Sequence, residues 1–137
     1  LPISYIHKVQ YYETDGMKVT HHSNYIRFME EARAVFMVEA GLGYDKMEAD
    51  GIVSPVISVS CEYKHPTTFA DEISIAISVV RCSAVKLMLQ YTMTSNDKLV
   101  ATASSTHCFL DPNGKPIVLA EKYPELHKVL KSLEEKK

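Results

Sequence analysis

The sequence lacks the features that place a chain in a membrane or on a nucleic acid. No apolar run is long enough to span a bilayer, and the N-terminus lacks the charged and apolar regions of a signal peptide. The 15 lysines and arginines stand against 17 acidic residues and are mixed along the chain, without a basic patch. We therefore expect a cytoplasmic protein that has neither a membrane nor a nucleic acid as its partner.

Cysteines and metal-binding motifs are also scarce. Cys61, Cys82 and Cys108 are odd in number, far apart and without a C-x-x-C pair, which argues against a disulfide framework and a cysteine-based zinc site. The adjacent His21 and His22 do not share one helix face, and no H-E-x-x-H motif occurs. The sequence therefore predicts no metal. It also has no G-x-S-x-G elbow that would indicate a serine nucleophile.

The length and the apolar pattern predict one folded domain over residues 1–137. Apolar residues recur at helical spacing over residues 24–40, with Gly41 as the expected stop, and again over residues 124–137. A first strand is predicted over residues 4–12. Four further long strands, with alternating polarity and turn residues between them, follow the first helix in hairpin succession. This order favours an α+β fold in which a five-stranded antiparallel sheet wraps around one long central helix.

The uncovered part of such a sheet predicts a homodimer or a homotetramer, because one helix covers only part of five strands. Glu30 is relevant to the same prediction. It lies on the helix side opposite the main apolar stripe, yet its neighbours there are Ile26, Ala34 and Met37. Glu30 is therefore either an ordinary exposed carboxylate or a group that faces a site or a neighbouring subunit.

The run YYETDGMKVTHHSNY, from Tyr11 to Tyr25, places a carboxylate and two histidines directly before the long helix. The first turn of a helix has unpaired N–H groups which, with the helix dipole, stabilise negative charge and can hold an oxyanion. Asp15, in a loop with Gly16, could then attack a bound carbonyl carbon or activate a water molecule. The alternative is that Asp15 is only a turn or capping residue. The residues alone leave both interpretations open.

Several residues of this run and of the following helix share a characteristic spacing. They are Tyr11, Thr14, Asp15, Val19, His22, Asn24, Tyr25 and the segment from Glu30 to Arg33. In this pattern the chain resembles the 4-hydroxybenzoyl-CoA thioesterase branch of the hotdog-fold superfamily, and particularly its YbgC-type acyl-CoA thioesterases. The predicted element order fits the hotdog fold over nearly the whole chain. Met17 and Lys18 depart from the pattern, since relatives often have another small residue there, and YYETD is one residue shorter than the frequent YYEDTD form.

The resemblance implies catalytic roles for three residues and supporting roles for two. Asp15 takes the place of the catalytic carboxylate, as nucleophile or as general base toward the thioester. His22 takes the position whose backbone N–H contacts the thioester oxygen, and its side chain has a role in YbgC-type relatives. Tyr11 matches a tyrosine near the acid, and Asn24 with Tyr25 fixes the start of the helix.

The implied substrate is an acyl-CoA, with an acyl-carrier protein as the alternative carrier of the thioester. Coenzyme A is then part of the substrate, and no cofactor is expected. Lys64, His65 and Arg81 lie near strand ends and are candidates to bind the CoA phosphates, although solvated turn residues are the alternative interpretation. Hotdog relatives usually build the site at a dimer interface, so Glu30 is a candidate for a wall that faces the neighbouring subunit.

Two other functions remain as alternatives, because a fold does not settle a function. One is a non-catalytic hotdog protein that binds acyl-CoA or an acyl-carrier protein, and the other is a hotdog dehydratase. A pure binder has little reason to place Asp15 beside an oxyanion-binding helix start. Dehydratases carry their acid and histidine in a different motif arrangement, so the sequence favours hydrolysis.

Overall fold

The computed structural model describes residues 3–134 of the chain. The helices and strands follow each other in the order strand, long helix, short helix, four strands and two helices. Their bounds are Ile3–Lys8 (β1), Asn24–Glu39 (α1), Tyr44–Ala49 (α2), Val56–Tyr63 (β2), Glu72–Cys82 (β3), Lys86–Ser95 (β4), Lys98–Cys108 (β5), Leu119–Lys122 (α3) and Pro124–Leu133 (α4).

The strands form one five-stranded antiparallel sheet in the order β1-β3-β4-β5-β2. β3, β4 and β5 are successive hairpins as predicted, and Asn96 and Asp97 both adopt positive φ in the tight β4–β5 turn. The prediction that β2 continues this succession was wrong, because β2 pairs with β5 at the far edge. Residues 64–71 carry the chain across to β3. The Thr20 N–H donates to the Thr67 carbonyl at 2.8 Å and holds this crossing segment against the loop before α1.

The core lies between α1 and the inner face of the sheet. Side chains alternate between buried and exposed along β3 and β4, as the alternating sequence predicts. The main buried side chains of this layer are Phe28, Met29, Ala32 and Phe36 of α1 and Ile73, Ile75, Leu89, Tyr91 and Met93 of the sheet. Each large apolar side chain stabilises the fold by about 1.5–3 kcal/mol relative to an exposed one. This packing fixes where α1 begins, and so where the candidate site lies.

α1 ends at the predicted glycine. Gly41 has φ +107°, a conformation that favours glycine. Its N–H donates to the Val38 carbonyl and the Leu42 N–H donates to the Met37 carbonyl, both at 3.0 Å. These two bonds form a Schellman motif, which satisfies carbonyls at the helix end.

The predicted strand over residues 4–12 is too long. β1 ends at Lys8, and Tyr11–Glu13 forms a single 3₁₀ turn. The turn forms because the Glu13 carboxylate accepts the Gln10 N–H at 2.7 Å, which draws the backbone out of the sheet. The predicted end of the C-terminal helix at residues 135–137 lies outside the described residues.

β2 is an edge strand with unusually exposed apolar side chains. Val56, Ile57, Val59 and Tyr63 are 44–50% exposed in the single chain. α1 does not reach far enough to cover them, as expected for one helix on a five-stranded sheet. No helix within residues 3–134 combines the length and the hydropathy that are needed to cross a membrane.

Candidate active site

Asp15 lies at the first position of a tight turn. Its N–H donates to the Val19 carbonyl and its own carbonyl accepts the Lys18 N–H, both at 2.9 Å. Lys18 adopts φ +64°, a backbone conformation that favours glycine. Carboxylate atom Oδ1 accepts the Met17 N–H at 2.8 Å, and no group within residues 3–134 donates to Oδ2. The turn therefore orients the half-buried carboxylate and leaves one oxygen free for chemistry.

The start of α1 is fixed by hydrogen bonds to Glu13. The Glu13 carbonyl accepts the His21 N–H at 2.8 Å and the Asn24 side-chain Nδ2–H at 3.0 Å. Asn24 is buried, as its predicted role in fixing the helix start requires. Among residues 3–134, no acceptor is found for the His22 N–H. An N–H without a partner at a helix start is the kind of group that can hold an oxyanion.

A cavity of about 280 Å³ opens beside this helix start. It brings together four of the residues that the sequence analysis singled out: His22, Tyr25, Lys64 and His65. The remaining lining residues are Thr20, Tyr63 and Pro66. The loop before α1 forms one wall, and the end of β2 with the crossing segment forms the opposite wall.

Tyr63 joins the two walls and was not predicted as a site residue. Its O–H donates to the His22 carbonyl at 3.0 Å. The Tyr63 ring packs edge-on against the Tyr25 ring, with 5.3 Å between centroids, and against the His22 ring at 6.1 Å. Burial, with a smaller effect of Cys61, raises the pKa of Tyr63 to about 12, so its hydroxyl remains a donor at neutral pH.

Tyr25 and Thr67 form a second link behind the cavity. The Tyr25 hydroxyl and Thr67 Oγ1 share a hydrogen bond of 2.9 Å, and Thr67 Oγ1 lies 2.6 Å from Thr20 Oγ1. Burial raises the pKa of Tyr25, while the bond to Thr67 has a smaller opposite effect. Since Thr20 closes the Asp15 turn through its bridge with Thr14, this link joins the turn to the crossing segment.

The other predicted site residues do not line this cavity, and Asp15 and Asn24 are among them. Tyr11 is 77% exposed and packs edge-on against Phe69, with 5.9 Å between ring centroids. Glu30 is exposed on α1. Arg81 lines a separate cavity of about 290 Å³, which also contains Lys86. That cavity is also lined by Met88 and Thr106, which pair with each other across β4 and β5. Thr106 lies five residues along β5 from Ala101, and Ala101 is the residue that pairs with Tyr63 of β2.

Sequence reasoning missed Tyr63, Thr67 and Thr20. The end of β2 carries one signal, because Tyr63 directly precedes the Lys64-His65-Pro66 turn that was singled out. The two threonines give no such signal. They are 47 residues apart and meet only because the crossing segment returns to the loop before α1.

The five-stranded sheet around α1 has the hotdog architecture, and comparisons with known proteins identify the chain as a thioester hydrolase of this class. The model of the Thioesterase-like superfamily matches residues 9–132. The chain belongs to this family. The predicted hotdog fold and the prediction that the chain is an enzyme of this class are therefore confirmed.

Individual relatives agree with the family. A protein of Aquifex aeolicus (strain VF5) named "Putative esterase" is 34% identical over 128 residues, covering 93% of this chain and 99% of its own. A Bacillus subtilis (strain 168) protein named "Putative acyl-CoA thioesterase YneP" is 29% identical over 122 residues, covering 88% of each chain. The crystal structure of a DHNA-CoA thioesterase from Staphylococcus aureus superimposes with a TM-score of 0.90 at 27% identity, covering 94% of this chain and 88% of that one.

Proposed function

We propose that the protein hydrolyses an acyl-CoA to a free acid and CoA, with Asp15 as the catalytic carboxylate. One observation supports this assignment: Thr20 both lines the cavity that His22 shares and pairs with Thr14 beside Asp15, and its contact with Thr67 holds the loop against the opposite wall. A carboxylate, an oxyanion donor and a binding cavity are the parts that thioester hydrolysis requires. The thioester carbonyl is already reactive, because sulfur donates weakly to it and leaves readily as a thiolate.

The reaction proceeds by one of two routes. As a general base, Asp15 takes a proton from water while the water oxygen adds to the thioester carbon. As a nucleophile, Asp15 adds directly and forms a mixed anhydride, which water then hydrolyses. In both routes the His22 N–H and the dipole of α1 stabilise the oxyanion until the carbon–sulfur bond breaks. The thiolate leaves with a proton from the carboxyl group or from solvent.

The remaining site residues have supporting roles in this proposal. Tyr25 and His22 form the walls around the acyl group, and Lys64 with His65 lies at the rim, where the CoA phosphates leave the cavity. Lys64 forms an exposed ion pair with Glu62 at 3.3 Å, which costs little to exchange for a phosphate. For Tyr11 and Asn24 we keep the roles that the resemblance implies: Tyr11 acts near Asp15, and Asn24 fixes the start of α1.

Arg81 and Glu30 contribute in this proposal only through a partner subunit, because neither lines the cavity of its own chain. We propose a homodimer through the exposed apolar edge of β2, which carries Tyr63 at its end, and a homotetramer of two such dimers. An unpaired edge strand with apolar side chains is a template for pairing with a second copy. The free state of the described cysteines fits a cytoplasmic location.

The decisive experiment measures free thiol from a panel of short, medium, long and aromatic acyl-CoAs. Asp15→Asn removes the catalytic carboxylate but keeps an oxygen that can accept the Met17 N–H. We expect turnover to fall at least about a hundredfold, with the substrate still bound. Binding without release by the native protein would instead favour a non-catalytic binder, and hydration of an enoyl-CoA would favour a dehydratase. Thiol release only from an acyl-carrier protein would mean that this protein, and not CoA, carries the acyl group, while the hydrolysis reaction stays the same.

A further inference from the structure

A hydrogen-bonded cluster of His7, Glu13 and Glu31 lies beside the loop before α1, and the proposed reaction does not use it. Its centre is His7 on β1, which is 9% exposed. His7 Nε2 lies 2.8 Å from Glu13 Oε1, and His7 Nδ1 lies 3.0 Å from Glu31 Oε1. The ring also stacks on Phe28 of α1, with 4.0 Å between ring centroids. One imidazole therefore connects the first strand, the loop and the long helix.

The hydrogen bonds of the cluster define which of its carboxylate oxygens act as acceptors. Tyr5 O–H donates to Glu31 Oε1 and Gln10 N–H donates to Glu13 Oε1, both at 2.7 Å, so both oxygens act as acceptors. A neutral imidazole has only one N–H. Each ring nitrogen of His7 nevertheless lies within hydrogen-bond distance of one carboxylate oxygen, so the ring bridges Glu13 and Glu31.

The two carboxylates connect His7 to different parts of the protein. Glu13 is 5% exposed, and its backbone carbonyl accepts the hydrogen bonds from His21 and Asn24 that fix the helix start. Glu31 lies within α1, well past its first turn, and it also accepts the Tyr5 O–H; its side chain is 39% exposed. Within residues 3–134, Glu31 forms no hydrogen bond with the loop. Of the two carboxylates, only Glu13 therefore connects His7 with the loop that carries Asp15.

We propose that His7 is a positioning residue for thioester hydrolysis. By holding the Glu13 carboxylate, it fixes Asp15 two residues further on and the helix start that carries His22. His7 itself lies outside the cavity and acts through Glu13. This inference rests on the proposed function. A misplacement of about 1 Å at a catalytic group can lower the rate about a hundredfold, so a rigid support below the loop has a direct catalytic consequence.

The test compares three variants of the full chain. His7→Phe keeps the ring that stacks on Phe28 but removes both ring nitrogens. His7→Gln restores one side-chain N–H. Glu31→Gln is the matched control, because it alters the contact of His7 with Glu31 and leaves the contact with Glu13 in place. We expect His7→Phe to lower kcat about 10- to 100-fold with KM changed less than about threefold. His7→Gln recovers part of kcat, and Glu31→Gln stays within about twofold of the native protein.

A second measurement does not depend on activity. Amide hydrogen exchange of His21 reports its bond to the Glu13 carbonyl, and we expect faster exchange in His7→Phe than in Glu31→Gln. Equal kcat and equal exchange in these two variants would overturn the positioning role. If His7→Phe does not fold, Glu13→Gln tests the same bond from the other side, with the same expected result. A native protein without thiol release would refute the proposed function, and His21 exchange would still decide the positioning role.

Discussion

Removing one hydroxyl, that of Thr67, tests how the two walls of the cavity are held together. Thr67 is 2% exposed, and its Oγ1 bonds to both the Tyr25 hydroxyl and Thr20 Oγ1. Thr67→Val keeps the shape of the side chain and leaves the Tyr25 hydroxyl without this partner. The Thr20 hydroxyl keeps an acceptor, because it also lies 3.2 Å from the Thr67 carbonyl. The Tyr25 hydroxyl therefore loses its 2.9 Å hydrogen bond to Thr67, while the Thr20 hydroxyl keeps an acceptor.

An unsatisfied buried hydroxyl costs about 1–3 kcal/mol, so we expect the free energy of unfolding to fall by about 2 kcal/mol. For a chain of this length, this corresponds to a loss of roughly 5–10 °C in Tm. Urea unfolding of the native protein and of Thr67→Val measures the difference. Thr67→Ser is the control, since it keeps the hydroxyl and removes only a methyl group.

A double-mutant cycle makes the interpretation sharper. Combining Thr67→Val with Tyr25→Phe removes both hydroxyls, so the penalty for the unsatisfied group disappears. We expect the double variant to be more stable than the sum of the single effects by about 1 kcal/mol or more. Strictly additive effects, or equal losses in Thr67→Val and Thr67→Ser, would refute the claim that this hydroxyl joins the walls.

Three further predictions concern other parts of the fold. Burial lowers the pKa of His107 from 6.5 to about 4, so the unfolded chain binds the proton more readily. The free energy of unfolding should therefore be highest above pH 6.5 and fall by on the order of 1–3 kcal/mol as pH drops toward 4; His107→Gln should flatten that slope in unfolding titrations. Lys18→Gly places glycine at the position with positive φ and should raise the free energy of unfolding by up to about 1 kcal/mol. A fall in this free energy would contradict the backbone strain that we assign to Lys18. Ile57→Asp on the β2 edge should yield a monomer in sedimentation analysis, while Ile6→Asp on the opposite edge should leave the mass unchanged.

The sequence predicted those parts of the fold that local patterns determine. α1 shows helical periodicity and stops at Gly41, where only glycine adopts the required φ easily. β4 alternates strictly, and β3 alternates up to the irregularity between Val79 and Arg81, because one face of each strand is buried. The first strand was predicted too long because Tyr11 and Tyr12 look like strand residues. Their conformation depends on the Glu13 carboxylate, which binds a backbone N–H three residues earlier.

The candidate site was predictable only in part, for a related reason. Asp15, His22 and Tyr25 lie in one short run, and Lys64 with His65 lies in one turn. That these two runs face each other follows from the position of β2 at the edge beside β5. Local alternation does not reveal this strand order, so Tyr63 and Thr67 could not be assigned to the site before the topology was known.

The Thr20–Thr67 contact also bears on how the enzyme becomes active as it folds. Its partners are 47 residues apart in sequence, and the Tyr63–His22 bond spans 41 residues. Contacts of such separation form only after the chain has closed a large loop, which is slow compared with helix formation. A refolding chain should therefore regain its helical signal before it releases any thiol. Thioesterase activity should then return only in the last stage of folding, when the crossing segment packs against the loop before α1.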